Sequence, residues 1–126
     1  MTKATEHSRV AVLGASPKED RYSFKAVHLL KEYGHVPIPV HPAGHTVDSV
    51  PGLKSLDDIK EPVDTLTMYV GPDISDKELD RILRLKPRRI IFNPGSENEP
   101  LMAKLQEAGF EVVRACTLVM LRTSQF

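Results

Sequence analysis

The chain of 126 residues balances 17 Lys and Arg against 17 Asp and Glu, and 40% of it is hydrophobic. That length and apolar fraction suit one compact domain with its own core. Zero net charge argues against a general electrostatic grip on DNA, RNA or an anionic membrane, while a local basic cluster can still hold a small anion. The single cysteine, Cys116, leaves no partner for an internal disulfide and fits a reducing, cytoplasmic setting. No apolar run approaches the ~20 residues a membrane span needs. Residues 1–9 mix charge with polarity and lack a signal-peptide core. Residues 1–8 are expected as a frayed tail ahead of a single domain at 9–126.

Taken in chain order, short apolar runs alternate with helical patterns. Arg9 to Leu13 reads as a strand buried on both faces, ending at Gly14. Ser23 to Tyr33 reads as a helix, with Ala26, Leu29, Leu30 and Tyr33 on one face, Ser23 as its cap and Gly34 as its stop. Val36 to Val40 is a second strand. Pro37 and Pro39 lack N–H donors, so it is expected at a sheet edge or with an interrupted ladder. A loop follows from His41 to Leu53, then a single helical turn at Ser55 to Ile59 with a Ser cap. Thr65 to Val70 is a third strand, broken by Gly71-Pro72. Ser75 to Glu78 has the form of a capping box for a helix whose buried stripe is Leu79, Ile82 and Leu83. Arg88 to Phe92 is a fourth strand, Glu99 to Ala108 a helix stopped by Gly109, and Phe110 to Arg114 a fifth strand. The apolar tail Leu118 to Leu121 is expected to dock on the body. This alternation predicts an α/β, three-layer Rossmann-like domain: a parallel five-stranded sheet with helices on both faces.

In such sheets ligands sit beyond the carboxyl ends of the strands. Those ends carry Gly14-Ala15-Ser16-Pro17, His41-Pro42, Val70-Gly71-Pro72 and Asn93-Pro94-Gly95. The first junction combines a glycine, small residues and the start of a helix, which offers free N–H groups and a positive dipole end to a diphosphate. Ser16 adds a hydroxyl, and Lys18, Arg21 and Lys25 add charge nearby. The dinucleotide fingerprint G-x-G-x-x-G is absent, because Ser16 and Glu19 occupy its second and third glycine positions. The second strand ends in Val40-His41-Pro42, with no acid to hold a ribose diol, which disfavours an NAD(P)-binding regulator and leaves room for a phosphorylated ribose.

These pieces, with Ser55 to Ile59, Pro62 to Asp64, Glu97 and Cys116, resemble the small bacterial and archaeal CoA-binding proteins. They also resemble the CoA-binding domain of the succinyl-CoA synthetase alpha subunit, over roughly residues 8–118. The resemblance implies coenzyme A or an acyl-CoA as the ligand. Gly14, Ala15, Ser16 and Pro17 would hold the diphosphate, with Arg21 and Lys25 near phosphates. His41 and Pro42 would border the adenosine, with Val70, Gly71 and Pro72 opposite. Asn93, Pro94 and Gly95 would line the pantetheine route. The chain departs from the small-protein pattern at Phe92-Asn93-Pro94, where relatives carry an aromatic, a Leu and a Gln. It also has no counterpart to the ligase's phosphohistidine domain or nucleotide-grasp subunit. The expected function is therefore non-catalytic binding, as carrier, buffer or sensor; the alternative is the CoA-binding part of a multi-chain acyl-CoA ligase.

The remaining reactive side chains have simpler readings. Cys116 reads as a small buried hydrophobe rather than a redox thiol. His41, His45 and Asp48 lie in a Pro/Gly loop without helical spacing, so no metal site is expected. His28 and His35 read as solvated. Glu97, Asn98 and Glu99 fit a helix start, and Lys86, Arg88 and Arg89 read as a solvated basic run. No catalytic residue is assigned. A homodimer would use the apolar tail or the outer strand.

Overall fold

The computed structural model describes residues 3–5 and 7–126. Five strands, β1 (Arg9–Leu13), β2 (Val36–Val40), β3 (Thr65–Met68), β4 (Arg89–Phe92) and β5 (Glu111–Arg114), form one sheet in the order β2-β1-β3-β4-β5. Every pairing is parallel. The helices are α1 (Tyr22–Glu32), α2 (Pro72–Ser75), α3 (Leu79–Leu85), α4 (Glu99–Glu107) and α5 (Thr117–Arg122), with a 3-10 turn at Leu56–Asp58. The expected α/β architecture holds.

Period-two alternation splits the strands between two cores. Ala11, Leu13, Leu66, Met68, Ile90 and Phe92 face the side covered by α3, α4 and the 3-10 turn, where Ile82, Leu101, Leu105 and Leu56 meet them. Val10, Val12 and Ile91 face α1 and α5, against Val27, Leu30, Met120 and Leu121. The second face also buries polar groups. Asn93 Nδ2 donates to Thr67 Oγ1 at 2.7 Å, and Thr67 Oγ1 lies 2.8 Å from Thr117 Oγ1.

The two prolines of β2 explain its place at the edge. Their nitrogens fall on the side away from β1, where no ladder bond is required. That side is covered instead by the following loop: Leu53 N donates to Pro39 O and His41 N donates to Leu53 O, both at 2.9 Å. This blunts an edge that would otherwise recruit another strand.

Several local expectations are corrected. Ser23 does not cap α1; Arg21 occupies the cap position and Ser23 is buried in the first turn. The buried stripe of α1 is Ser23, Ala26, Val27 and Leu30, while Tyr33 is exposed. Ser75 to Glu78 is not a capping box. A short helix starts earlier, with Pro72 in its first turn, and Ser75 is buried, accepting from Asn98 Nδ2 at 2.9 Å. On α3, Leu83 is exposed, and Leu79 and Leu85 join Ile82 on the core.

Arg89 does not belong to a solvated run. It is 0% exposed, its guanidinium lies 4.5 Å from the centre of the Phe126 ring, and Nε donates to Thr65 Oγ1. The N-terminal segment is not frayed where it is described: Ala4 N donates to Phe126 O, His7 N to Gly34 O, and Ser8 is buried. Met1, Thr2 and Glu6 lie outside the described residues. The caps expected at Ser55 and Asn98 are present, accepting from Asp57 N and Leu101 N. The apolar tail docks as α5, with Leu118, Met120 and Leu121 buried.

Candidate functional site

The strand order reverses direction between β1 and β3, so the loops leaving these two neighbours diverge to opposite faces and open a crevice. Three adjoining cavities occupy it. The central one, of about 260 Å³, is lined by Gly14, Ser16, Arg21, Tyr22, Ser23, Tyr69, Val70, Gly71, Pro94, Gly95 and Ser96. Toward β2 it shares Gly14, Tyr69, Val70 and Gly71 with a cavity of about 540 Å³ that includes His41, Pro42, Lys54 and Arg81. Toward β5 it shares Tyr22, Tyr69 and Pro94 with a chamber of about 220 Å³ that adds Asn93, Cys116 and Leu118.

Gly14 is required by the sheet itself. Its φ is +89°, and a Cβ there would sit 2.7 Å from Val70 Cγ1 and 2.8 Å from Tyr69 O. The glycine therefore lets the β1 and β3 loops touch at the floor of the crevice.

Of the anion donors expected at this junction, the loop amides are unavailable, while the helix-start amides, the Ser16 hydroxyl and Arg21 remain. The amides of Gly14 and Ala15 both donate to Val40 O, and Ser16 N donates to Ser23 Oγ at 3.0 Å. Those three amides are spent within the fold. The first N–H to find a carbonyl inside α1 is that of Lys25, which donates to Arg21 O. The amides of Tyr22, Ser23 and Phe24 thus form the first turn that helix geometry leaves unpaired, and Tyr22 and Ser23 line the central cavity. Arg21, at the cap, makes no ion pair among the described residues. Ser16 Oγ accepts from Lys18 N at 3.2 Å, and its O–H remains available as a donor.

The structure gathers Gly14, Ser16, Arg21, Val70, Gly71, Pro94 and Gly95 around the central cavity, with His41 and Pro42 in the β2-side cavity and Asn93 in the β5-side chamber. Four expected residues stand apart. Ala15 is fully buried in the core, and Pro17 and Pro72 are exposed and line none of the three cavities. Lys25 lies 5.5 Å from the Tyr22 ring centre and lines a separate surface hollow with Glu19, His28 and Asp48. Asn93 is buried and committed to the fold: Nδ2 donates to Thr67 Oγ1 and Met68 O, and Oδ1 accepts from Thr117 N. It sets the chamber wall rather than offering free polar atoms.

Sequence reasoning missed Tyr22 and Tyr69. Tyr22 is 70% exposed at the mouth. Tyr69 lines all three cavities, and its buried hydroxyl faces Thr67 and Thr117 with no hydrogen bond of ordinary geometry. Burial, with the neighbouring Cys116, pushes its phenol up, so it stays protonated and can donate. His41 is pushed down by burial and by His45, leaving it a neutral wall of the β2-side cavity. Its Nδ1 accepts from Ala43 N at 3.0 Å.

Comparison with known proteins gives the chain its relatives. Residues 8–122 match the family model described as a CoA binding domain. A Bacillus subtilis protein, the uncharacterized YneT, is 27% identical over 108 residues, covering 83% of this chain and 78% of its own. A crystal structure of an uncharacterized protein is 41% identical, with a TM-score of 0.91, over 97% of this chain and 100% of that one. At 19% identity and a TM-score of 0.72, the fold also recurs in a dinucleotide-forming acetyl-coenzyme A synthetase of Ca. Korarchaeum cryptofilum. That match covers 85% of this chain and 25% of the synthetase.

Proposed function

This chain belongs to the family of CoA binding domains, and from that premise we propose that the crevice at the β1/β3 divergence binds coenzyme A or an acyl-CoA through its diphosphate. The observation that carries the reading is the convergence on the central cavity of Arg21, the hydroxyl of Ser16 and the first-turn amides of Tyr22 and Ser23. A diphosphate there meets a helix N-terminus, a cation and a hydroxyl donor without displacing any internal bond.

The proposed role is non-catalytic: a carrier, buffer or sensor in the cytoplasm. Among the described residues lining the crevice, no hydroxyl or thiol is hydrogen-bonded to a histidine or carboxylate that could activate it. The likeness in fold to one quarter of an acetyl-coenzyme A synthetase favours a second reading, in which this domain supplies the CoA site of a multi-chain acyl-CoA ligase.

Titration calorimetry tests the binding. CoA should bind the wild-type chain, and Ser16→Glu should abolish binding while leaving the circular dichroism spectrum unchanged, because a carboxylate beside the cavity repels the diphosphate. Undiminished binding by Ser16→Glu sinks the site. For the role, the pure chain should release no thiol from acetyl-CoA. Stable co-purification with a larger ligase subunit would select the second reading.

A further inference from the structure

Three rings frame the passage between the central cavity and the β5-side chamber: the two spaces share Tyr22, Tyr69 and Pro94. Two of these rings are fixed. The hydroxyl of Tyr69 is buried beside Thr67 and Thr117. Pro94 has its ring closed onto the backbone, next to the fully committed Asn93. Tyr22 differs from both. It is 70% exposed, and it is the first residue of α1, reached by a loop whose residues 17–21 are all exposed. Inside a helix the preceding turn closes off one staggered χ1 position. At the first position there is no preceding turn, so the Tyr22 ring keeps all three. Where it stands, the ring has Lys25 Nζ 5.5 Å from its centre, a contact that is weak at an exposed site. The backbone amide of the same residue belongs to the first turn that offers donors to the central cavity. Donor and ring thus share one Cα at the edge of the diphosphate seat.

We propose that Tyr22 is a one-residue lid. Once the ligand is seated, the ring swings off Lys25 and closes over the stretch that crosses between the two cavities, opposite the fixed rings of Tyr69 and Pro94. The inference rests on the CoA reading and adds a conformational step to it. The driving force is removal of aromatic surface from water. Because closure follows encounter, it acts on escape rather than capture: the off-rate falls and the on-rate stays nearly the same. A ring already packed in the free chain would have no such step to make.

The chain has no tryptophan, so Tyr22→Trp puts a single indole reporter on the lid. In the free chain its emission should be that of a solvated indole. At saturating CoA the emission should shift to the blue and acrylamide quenching should fall. Surface plasmon resonance over the immobilised chain then reads the rates. Tyr22→Ala should raise the CoA off-rate about tenfold and leave the on-rate within about twofold of wild type. Tyr22→Phe should keep the wild-type rates, since the ring and not the hydroxyl closes. Both variants change an exposed side chain at a helix start, so the core is untouched. Indole emission that stays unshifted at saturating CoA overturns the lid, as does an off-rate that Tyr22→Ala leaves unchanged. An effect of Tyr22→Ala confined to the on-rate makes Tyr22 part of the encounter surface and overturns it too. Failure of the wild-type chain to bind CoA overturns the CoA reading itself, a result distinct from binding without closure.

Discussion

The amide of Ser16 donates to the hydroxyl of Ser23 at 3.0 Å, tying the loop that leaves β1 to the first turn of the helix that follows. Seven residues apart in sequence, the two serines make junction and helix one unit. The backbone amide of Ser23 lies in the first turn of α1, where helix geometry leaves it without an intrahelical acceptor. Ser23→Ala would leave Ser16 N without its partner, at a cost of about 1–2 kcal/mol. Urea denaturation should show that loss, and calorimetry should show CoA affinity reduced about threefold or more as the loop loosens. Unaltered stability and affinity would mean the bond is dispensable.

Gly14 is the second point of rigidity. A side chain there must adopt φ +89° and meet Val70 Cγ1 and Tyr69 O inside contact distance. The left-handed conformation costs roughly 1–2 kcal/mol and overpacking about 1–3 kcal/mol more. Gly14→Ala should therefore lower the thermal midpoint by about 10 °C or more. A drop of only a degree or two would show that the β1 and β3 loops can part freely.

How much of this was legible in the sequence depends on the range of the interactions involved. The strand runs, the edge placement of β2 and the caps at Ser55 and Asn98 follow from local chemistry: apolar runs, two missing N–H donors, and short polar side chains ahead of helical turns. The loops that gather at the crevice were legible because parallel strands deliver their carboxyl ends to one side. That the loop amides of residues 14–16 are unavailable was not, since it depends on Val40 O claiming two of them and on Ser23 claiming the third. Arg89 looks solvated beside Arg88 because its partners, Thr65 and Phe126, lie 24 and 37 residues away. Ser75 has a capping-box spacing, yet Asn98, 23 residues on, takes its hydroxyl into the core.

Arg89 shows what such distant contacts are worth. Burial, with Arg88 nearby, pushes the guanidinium down from its ordinary value, and Thr65 and the Phe126 carbonyl and ring surround it. Arg89→Ala would leave a void on the α1/α5 face and release Phe126, which also holds Ala4. The expected loss is roughly 3–5 kcal/mol. Limited proteolysis should then cut near both chain ends before the sheet. A variant as resistant as wild type would contradict this role.

The loop carrying His41 and Lys54 is pinned to α1 by a pH-sensitive contact. His28 Nδ1 lies 2.9 Å from Asp48 Oδ2, at a turn where Asp48 and Ser49 both have positive φ. The hydrogen bond to Asp48 raises the His28 pKa, and the hydrogen bond to His28 lowers that of Asp48. The raised imidazole contributes stability that is fully present below its unfolded pKa and is lost as pH rises through its folded value. The lowered carboxylate contributes stability present above its unfolded pKa and lost as pH falls through its folded value. Thermal midpoints should therefore peak between the carboxylate range and the imidazole range. His28 is exposed and Asp48 only half-buried, so solvent screens the pair and the effect is small. His28→Gln should flatten the alkaline side of the profile; an unchanged slope there would assign the dependence to another group.

The most direct test maps backbone amide shifts by NMR while CoA is added to the isotopically labelled chain. The largest changes should fall on Tyr22, Ser23 and Phe24, with Arg21, Val70 and Gly71 following. Amides that stay still in that first turn, with the shifts instead clustered around Lys25, His28 and Asp48, would contradict a diphosphate seat at the start of α1.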